Sequence, residues 1–201
     1  MTKEKIRIKP NYLPLTQQKY CCLPCCIQWI MLRQGLKLIS QDKMAKDLGV
    51  VIRPEDQRLF NLKLKTAEKL LPGKLGYGTW TYKIPQFLKK HRIPLSVKRY
   101  YPSKIKDVKK FLCQNMQEGN DTIVTFNVAA YANPKSGINY VHSCVIDSLA
   151  FKNKKTIVTL GDPEYLHRKF FDIDLDKLLL GMSKKYGKEK SFKVFYSKKI
   201  S

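Results

Sequence analysis

Residues 17 to 35 read Gln-Gln-Lys-Tyr-Cys-Cys-Leu-Pro-Cys-Cys-Ile-Gln-Trp-Ile-Met-Leu-Arg-Gln-Gly and hold four of the chain's six cysteines. From Cys22 onward, Leu23, Cys25, Cys26, Ile27, Trp29, Ile30, Met31 and Leu32 cover most of a helical circumference, which predicts a centrally buried helix. Gly35 tolerates the left-handed conformation that ends such a helix. A cysteine at the helix start faces unpaired N–H groups and the positive end of the dipole. Both favour the thiolate and lower its pKa below the free value of about 8.5. Cys22 is therefore the candidate nucleophile, with Cys21 one residue away as the competing assignment.

Working outward, Ser40 is placed to cap a second helix, Gln41 to Leu48, closed by Gly49. Val50 to Lys74 is polar and weakly helical, and Leu71 to Gly78 reads as a turn-rich loop. Thr79 can cap a helix from about Tyr82 to Lys90 that puts Ile84, Phe87 and Leu88 on one face. Leu95 to Tyr101 alternates as a strand does. Ser103 is then expected to open a helix through Gln117, with Ile105, Val108, Phe111 and Leu112 inward. Strands follow at Thr122 to Val128, Tyr140 to Leu149 and Thr156 to Gly161, then a helix near Asp174 to Met182 and a last strand Phe192 to Tyr196. Helices followed by strands predict an α+β fold with an antiparallel sheet. The 201 residues suit one domain, with a helical half at about residues 14–118 and a sheet half at about residues 120–198.

The segments Tyr140 to Leu149 and Thr156 to Pro163 flank the polar connector Lys152-Asn-Lys-Lys155 and read as a β-hairpin. A turn centred near residue 152 puts His142 opposite Asp162, so that one end of the hairpin holds an imidazole beside a carboxylate. A carboxylate there orients the ring and stabilises its charged form. An oxyanion stabiliser is still needed. The backbone N–H of Cys22 and an amide side chain just upstream, Gln17 or Gln18, are placed to supply it.

Gln17 five residues before Cys22, the run Cys22-Leu-Pro-Cys-Cys-Ile27, Gly35, Val141-His142 opening a strand and a later Asp162-Pro163 together resemble papain-like cysteine peptidases. Within that group the sequence is most similar to the double-glycine leader peptidases that process bacteriocins, over about residues 14–180. The resemblance implies a papain-like fold, with a central nucleophile helix packed on a C-terminal antiparallel sheet. It also implies Cys22 as nucleophile, His142 as general base, Asp162 as orienting acid, Gln17 in the oxyanion hole, and no metal or cofactor. The family usually carries Gly directly after the nucleophile, where this chain has Leu23. Phytochelatin synthases resemble the arrangement too, which leaves acyl transfer to an acceptor other than water open. Regions expected to line the substrate cleft are Pro72 to Thr79 and Ala129 to Asn139.

Lys and Arg number 39 against 16 Asp and Glu, a formal charge of +23. Such a surface attracts polyanions. Acidic peptide or protein substrates fit it, and nucleic acid is a further partner that is not favoured, because no nucleic-acid-binding motif is present. No run of about 18 apolar residues exists, and the N-terminus lacks a signal peptide's apolar core, so a cytoplasmic protein with reduced thiols is expected. Cys25, Cys26, Cys113 and Cys144 are expected to be small buried hydrophobes. His91 is expected at the surface, His167 has no evident partner, and Trp29 reads as core.

Other classes compete with the peptidase. Cys22-Leu-Pro-Cys25 has the spacing of a thioredoxin-like redox motif, but no apolar strand precedes it and His142 and Asp162 are left without a role. A zinc site lacks a second clustered ligand pair along the chain. A non-catalytic basic binding module on the same fold rests on the charge alone.

Overall fold

The computed structural model describes residues 5–68, 81–131, 138–152, 155–164 and 169–198. A short strand, β1 (Lys5–Arg7), precedes α1 (Cys22–Arg33), of whose twelve residues ten are buried. Pro24 sits in the first turn, where its missing N–H would have lacked a helical partner anyway. Gly35 then turns the chain out at φ +67°. Next come α2 (Gln41–Leu48), capped by the Ser40 hydroxyl and ended by a left-handed Gly49, and the short parallel pair β2 (Val51–Ile52) and β3 (Lys65–Thr66). In chain order there follow α3 (Ile84–Lys90), β4 (Leu95–Tyr100), α4 (Val108–Gln117), β5 (Asp121–Asn127), β6 (Val141–Lys152), β7 (Lys155–Gly161), β8 (Phe170–Asp174), α5 (Leu175–Met182) and β9 (Phe192–Ser197).

Among the described residues, the main sheet has seven strands in the order β4-β9-β5-β6-β7-β8, with β1 also on β6, and every pairing in it is antiparallel. The mixed helix and antiparallel-sheet fold agrees with the helix-then-strand order of the sequence. Helix α1 packs on β6, and α5 on β5, β7 and β8. Trp29 is fully buried, donates its indole N–H to the Leu15 carbonyl at 3.1 Å and meets the rings of Tyr12 and Phe170. It is core, as expected.

Several local expectations are corrected. The helix expected from Ser103 begins instead at Val108, because Pro102 starts a separate 3₁₀ turn and Asp107 is the side chain that caps, accepting from Lys110 N at 2.9 Å. Ser103 is used elsewhere, bonded to the Glu189 carboxylate through both its N–H and its hydroxyl. The stretch after Val50 is not weakly helical throughout. It holds β2, a 3₁₀ turn (Pro54–Leu59) and β3, with Val50, Ile52, Phe60 and Leu64 burying Cys21 and Ala45 in a second small apolar cluster. His91 is not a free surface group: it is half-buried, 2.6 Å from Asp47 and stacked at 4.7 Å on Phe87. The expected loop Pro72 to Thr79, most of Ala129 to Asn139, and His167 lie outside the described residues.

The hairpin register also differs. A bulge between Ile146 and Ser148 shifts the ladder, and Val145 pairs with Gly161. One residue further, Cys144 rather than His142 lies across from Asp162. The sequence-based register was two residues out, because the strands close with Lys152 opposite Lys155, beyond the turn centre expected near residue 152, and the bulge brings the ladder back by only one residue.

Candidate active site

Cys22 is the first residue of α1, and the turn delivering it is tightly held. Tyr20, just before, lies in the left-handed region at φ +68°, a conformation that costs a residue with a Cβ roughly 1–2 kcal/mol. Its hydroxyl is anchored to Asp56 at 2.5 Å. No acidic residue occupies the first turn of α1, so the positive helix end stays available to the thiol.

His142, only 3% exposed, projects from β6, with the rings of Phe126 and Tyr140 edge-on to it at 6.4 and 6.1 Å. Its Nε2 lies 2.7 Å from Asp162 Oδ1. The carboxylate is itself fixed, since Oδ1 also accepts the Glu164 N–H at 2.8 Å. The ring also lies close enough to the Cys22 thiol to lower its pKa. The structure thus brings Cys22, His142 and Asp162 together. Cys21 faces away, fully buried in the second apolar cluster.

Gln17 approaches the same place from the other side. Its backbone N–H donates to the Pro163 carbonyl at 2.9 Å, tying it to the residue after Asp162. The Gln41 side chain on α2 then brackets it, accepting from Gln18 N at 2.7 Å and donating to Thr16 O at 2.8 Å. Lys169 adds a staple: its ammonium reaches Thr16 Oγ1 and Pro163 O, both at 3.2 Å. The Oε1 atoms of Gln17 and Gln18 are buried without a hydrogen-bond partner among the described residues, an unusual state for a buried amide. Gln41 and Lys169 were not singled out in the sequence. Only their contacts across the fold reveal them.

Electrostatics favour an ion pair between the thiol and the ring. Burial alone would raise the Cys22 pKa, but the hydrogen bond and charge of His142, with backbone N–H groups of Ser143 and Leu23, bring it below its ordinary value. Burial likewise opposes a charged His142, yet the Cys144 and Cys22 thiols and the Asp162 carboxylate raise its pKa well above normal. Both shifts favour the charged forms, thiolate and imidazolium. Cys25, by contrast, is fully buried and pushed up to about 12 by desolvation.

Two further groups complete the surroundings. Cys144, expected as a plain core residue, is indeed buried, but its sulfur lies within 4.8 Å of a ring nitrogen of His142 and a carboxylate oxygen of Asp162. Lys193 on β9 is 1% exposed, and its ammonium bonds neutral oxygens, Thr125 Oγ1 at 2.6 Å and Ser191 O at 3.3 Å. Thr125 in turn meets Ser143 Oγ at 2.9 Å, which links the lysine on β9 across β5 to the strand that carries His142. Desolvation lowers its pKa to about 7.

No family model matches the chain, and no curated protein matches it in sequence. Its architecture does match a crystal structure described as that of a candidate C39-like peptidase from Bacillus anthracis. The TM-score is 0.60, at 13% identity over 97% of this chain and 98% of that one. The chain has the C39-like peptidase fold. At that identity the likeness is one of architecture, and it spans nearly the whole of both chains. Within this C39-like fold, the start of α1, the first residues of β6 and the end of β7 converge where Cys22, His142 and Asp162 meet. Among the described residues, no helix is long and apolar enough to cross a membrane.

Proposed function

We propose that the chain is a papain-like cysteine peptidase in which Cys22 is the nucleophile, His142 the general base, Asp162 the orienting carboxylate and Gln17 an oxyanion-hole donor. The observation that carries this reading is the buried His142 imidazole, whose Nε2 lies 2.7 Å from Asp162 Oδ1 and whose nearness lowers the pKa of the Cys22 thiol. The thiolate attacks a peptide carbonyl, and the developing oxyanion is held by the Cys22 backbone N–H and the Gln17 side-chain amide. Imidazolium His142 returns its proton to the leaving amine, and water, activated by the same ring, releases the acyl group. An acceptor other than water would use the same first half-reaction. The papain-like likeness, a single domain and a cytoplasmic setting belong to this reading. So does a peptide or protein substrate, which the +23 charge favours as acidic. Cleavage rates indifferent to high salt would remove the acidic preference.

A thioredoxin-like use of Cys22 and Cys25 is disfavoured, since Cys25 is buried with a raised pKa and residues 10–21 before the motif form no strand. The deciding experiment is brief labelling with limiting iodoacetamide at mildly acidic pH, read by mass spectrometry. Selective modification of Cys22 that weakens in His142→Ala is the expected result. Slow modification shared among the six cysteines would sink the proposal.

A further inference from the structure

Lys19 and Tyr20 are the two central residues of the turn that joins Gln18 to Cys21, closed by the Cys21 N–H donating to the Gln18 carbonyl at 2.9 Å. The turn separates Gln17 from Cys22, so its shape sets how the Gln17 side-chain amide stands relative to the Cys22 backbone N–H. Tyr20 holds the third position of the turn at φ +68°, where a positive φ ordinarily calls for Gly or Asn. Among the described residues only Tyr20 and Arg92 carry a side chain at positive φ. Strain of this kind persists only where the surroundings over-determine it, and it clusters at active sites.

Here one carboxylate from a distant element does so. Asp56, 8% exposed on the 3₁₀ turn between β2 and β3, accepts from the Tyr20 hydroxyl at 2.5 Å through Oδ2 and from Lys19 Nζ at 2.9 Å through Oδ1. Both central residues of the turn thus end on the same side chain. Their hydrogen bonds hold Asp56 below the ordinary carboxylate range, while burial and the nearby carboxylate push the Tyr20 phenol up to about 12, so that it stays a donor. The Tyr20 ring packs on the small apolar cluster that buries Cys21. We propose that Asp56 is a positioning residue for the oxyanion hole: by holding Tyr20 and Lys19 it fixes the turn in the shape that aims the Gln17 amide and the Cys22 N–H at the same oxygen. This role rests on the peptidase reading.

Two reactions of Cys22 separate it from a merely structural one. Alkylation by iodoacetamide needs the thiolate but forms no oxyanion. Acylation by p-nitrophenyl acetate does form one: the sulfur attacks the ester carbonyl, p-nitrophenolate leaves, and a thioester remains on Cys22. Tyr20→Phe, which removes only the hydroxyl, and Asp56→Ala should each slow the p-nitrophenolate burst by about 10- to 100-fold, the scale of a misaligned donor, with alkylation within about twofold of wild type. Adding Tyr20→Gly to Asp56→Ala should recover most of the burst rate, because Gly takes φ +68° without an anchor. Tyr20→Phe keeps the test decisive if Asp56→Ala does not fold. A burst unchanged in both single variants, an equal loss in alkylation, or no recovery with Gly would each overturn the role and leave the peptidase reading in place. Wild-type labelling spread over the six cysteines, or no wild-type burst at all, would overturn both.

Discussion

His142 and Asp162 meet at 2.7 Å although their strands do not set them opposite one another. With Val145 paired to Gly161, the two residues lie on a diagonal of the β6–β7 ladder. Diagonal neighbours in an antiparallel pair are still within reach of long or aromatic side chains. The imidazole spans that gap, and the Glu164 N–H fixes the carboxylate that receives it.

Replacing Asp162 with Asn keeps an acceptor near the ring but removes its charge. The His142 pKa should fall by roughly 1–2 units, as expected when a close carboxylate is neutralised. The His142 ring-proton titration by NMR measures this, and an unchanged midpoint would show that the thiols alone sustain the imidazolium.

Gln17→Ala should lower kcat by about 10²- to 10³-fold with KM little changed, the signature of a lost oxyanion donor. Gln41→Ala should cause a smaller loss, also in kcat, because Gln17 stays tied to Pro163 O while losing its bracket from α2. Steady-state kinetics on one peptide substrate compares them, and a purely KM effect in Gln17→Ala would assign it to substrate binding.

Lys193 makes stability depend on pH. Its pKa drops from 10.5 unfolded to about 7 folded, so between these values the unfolded chain binds more protons and stability rises with pH. The cost of the buried group is fully present below pH 7 and vanishes towards pH 10.5, and at about 1.4 kcal/mol per unit it amounts to several kcal/mol. Lys193→Met should therefore stabilise the protein most at pH 6 to 7, with the gain shrinking as pH rises. Urea unfolding of both proteins across that range tests it, and a pH-independent difference would disprove it.

Gly161 on β7 packs directly against Trp29 of the nucleophile helix. A Cβ there would lie 2.5 Å from the Trp29 ring and 2.7 Å from Val145. Gly161→Ala should destabilise by about 1–3 kcal/mol through overpacking, and reduce Cys22 labelling by displacing α1. Thermal unfolding and labelling rates measured together would reveal both effects.

The far end of α1 is held by a buried ion pair, Arg33 with Asp121 at 2.5 Å, to which Tyr12 and Gln34 also donate. Asp121→Ala leaves the guanidinium buried without its carboxylate and should cost about 3–5 kcal/mol in urea unfolding. A loss below about 1 kcal/mol, the range of an exposed pair, would mean that water reaches the site.

What the sequence by itself determined is what local pattern encodes. The apolar run from Leu23 to Leu32, the Ser40 cap with Gly49, the alternation of β4 and the β-branched run of β5 were legible because such local patterns report helix and strand directly. Cys22, His142, Asp162 and Gln17 were legible as residue types in suggestive settings. Only the tertiary structure decided which groups meet. The bulge at Ile146 moved Cys144 across from Asp162, Gln41 and Lys169 arrived from distant elements to hold Gln17, and Lys193 came to rest buried on β9 among neutral oxygens. These contacts join residues far apart in the chain and depend on register and close packing. Periodicity along a single segment carries no information about either.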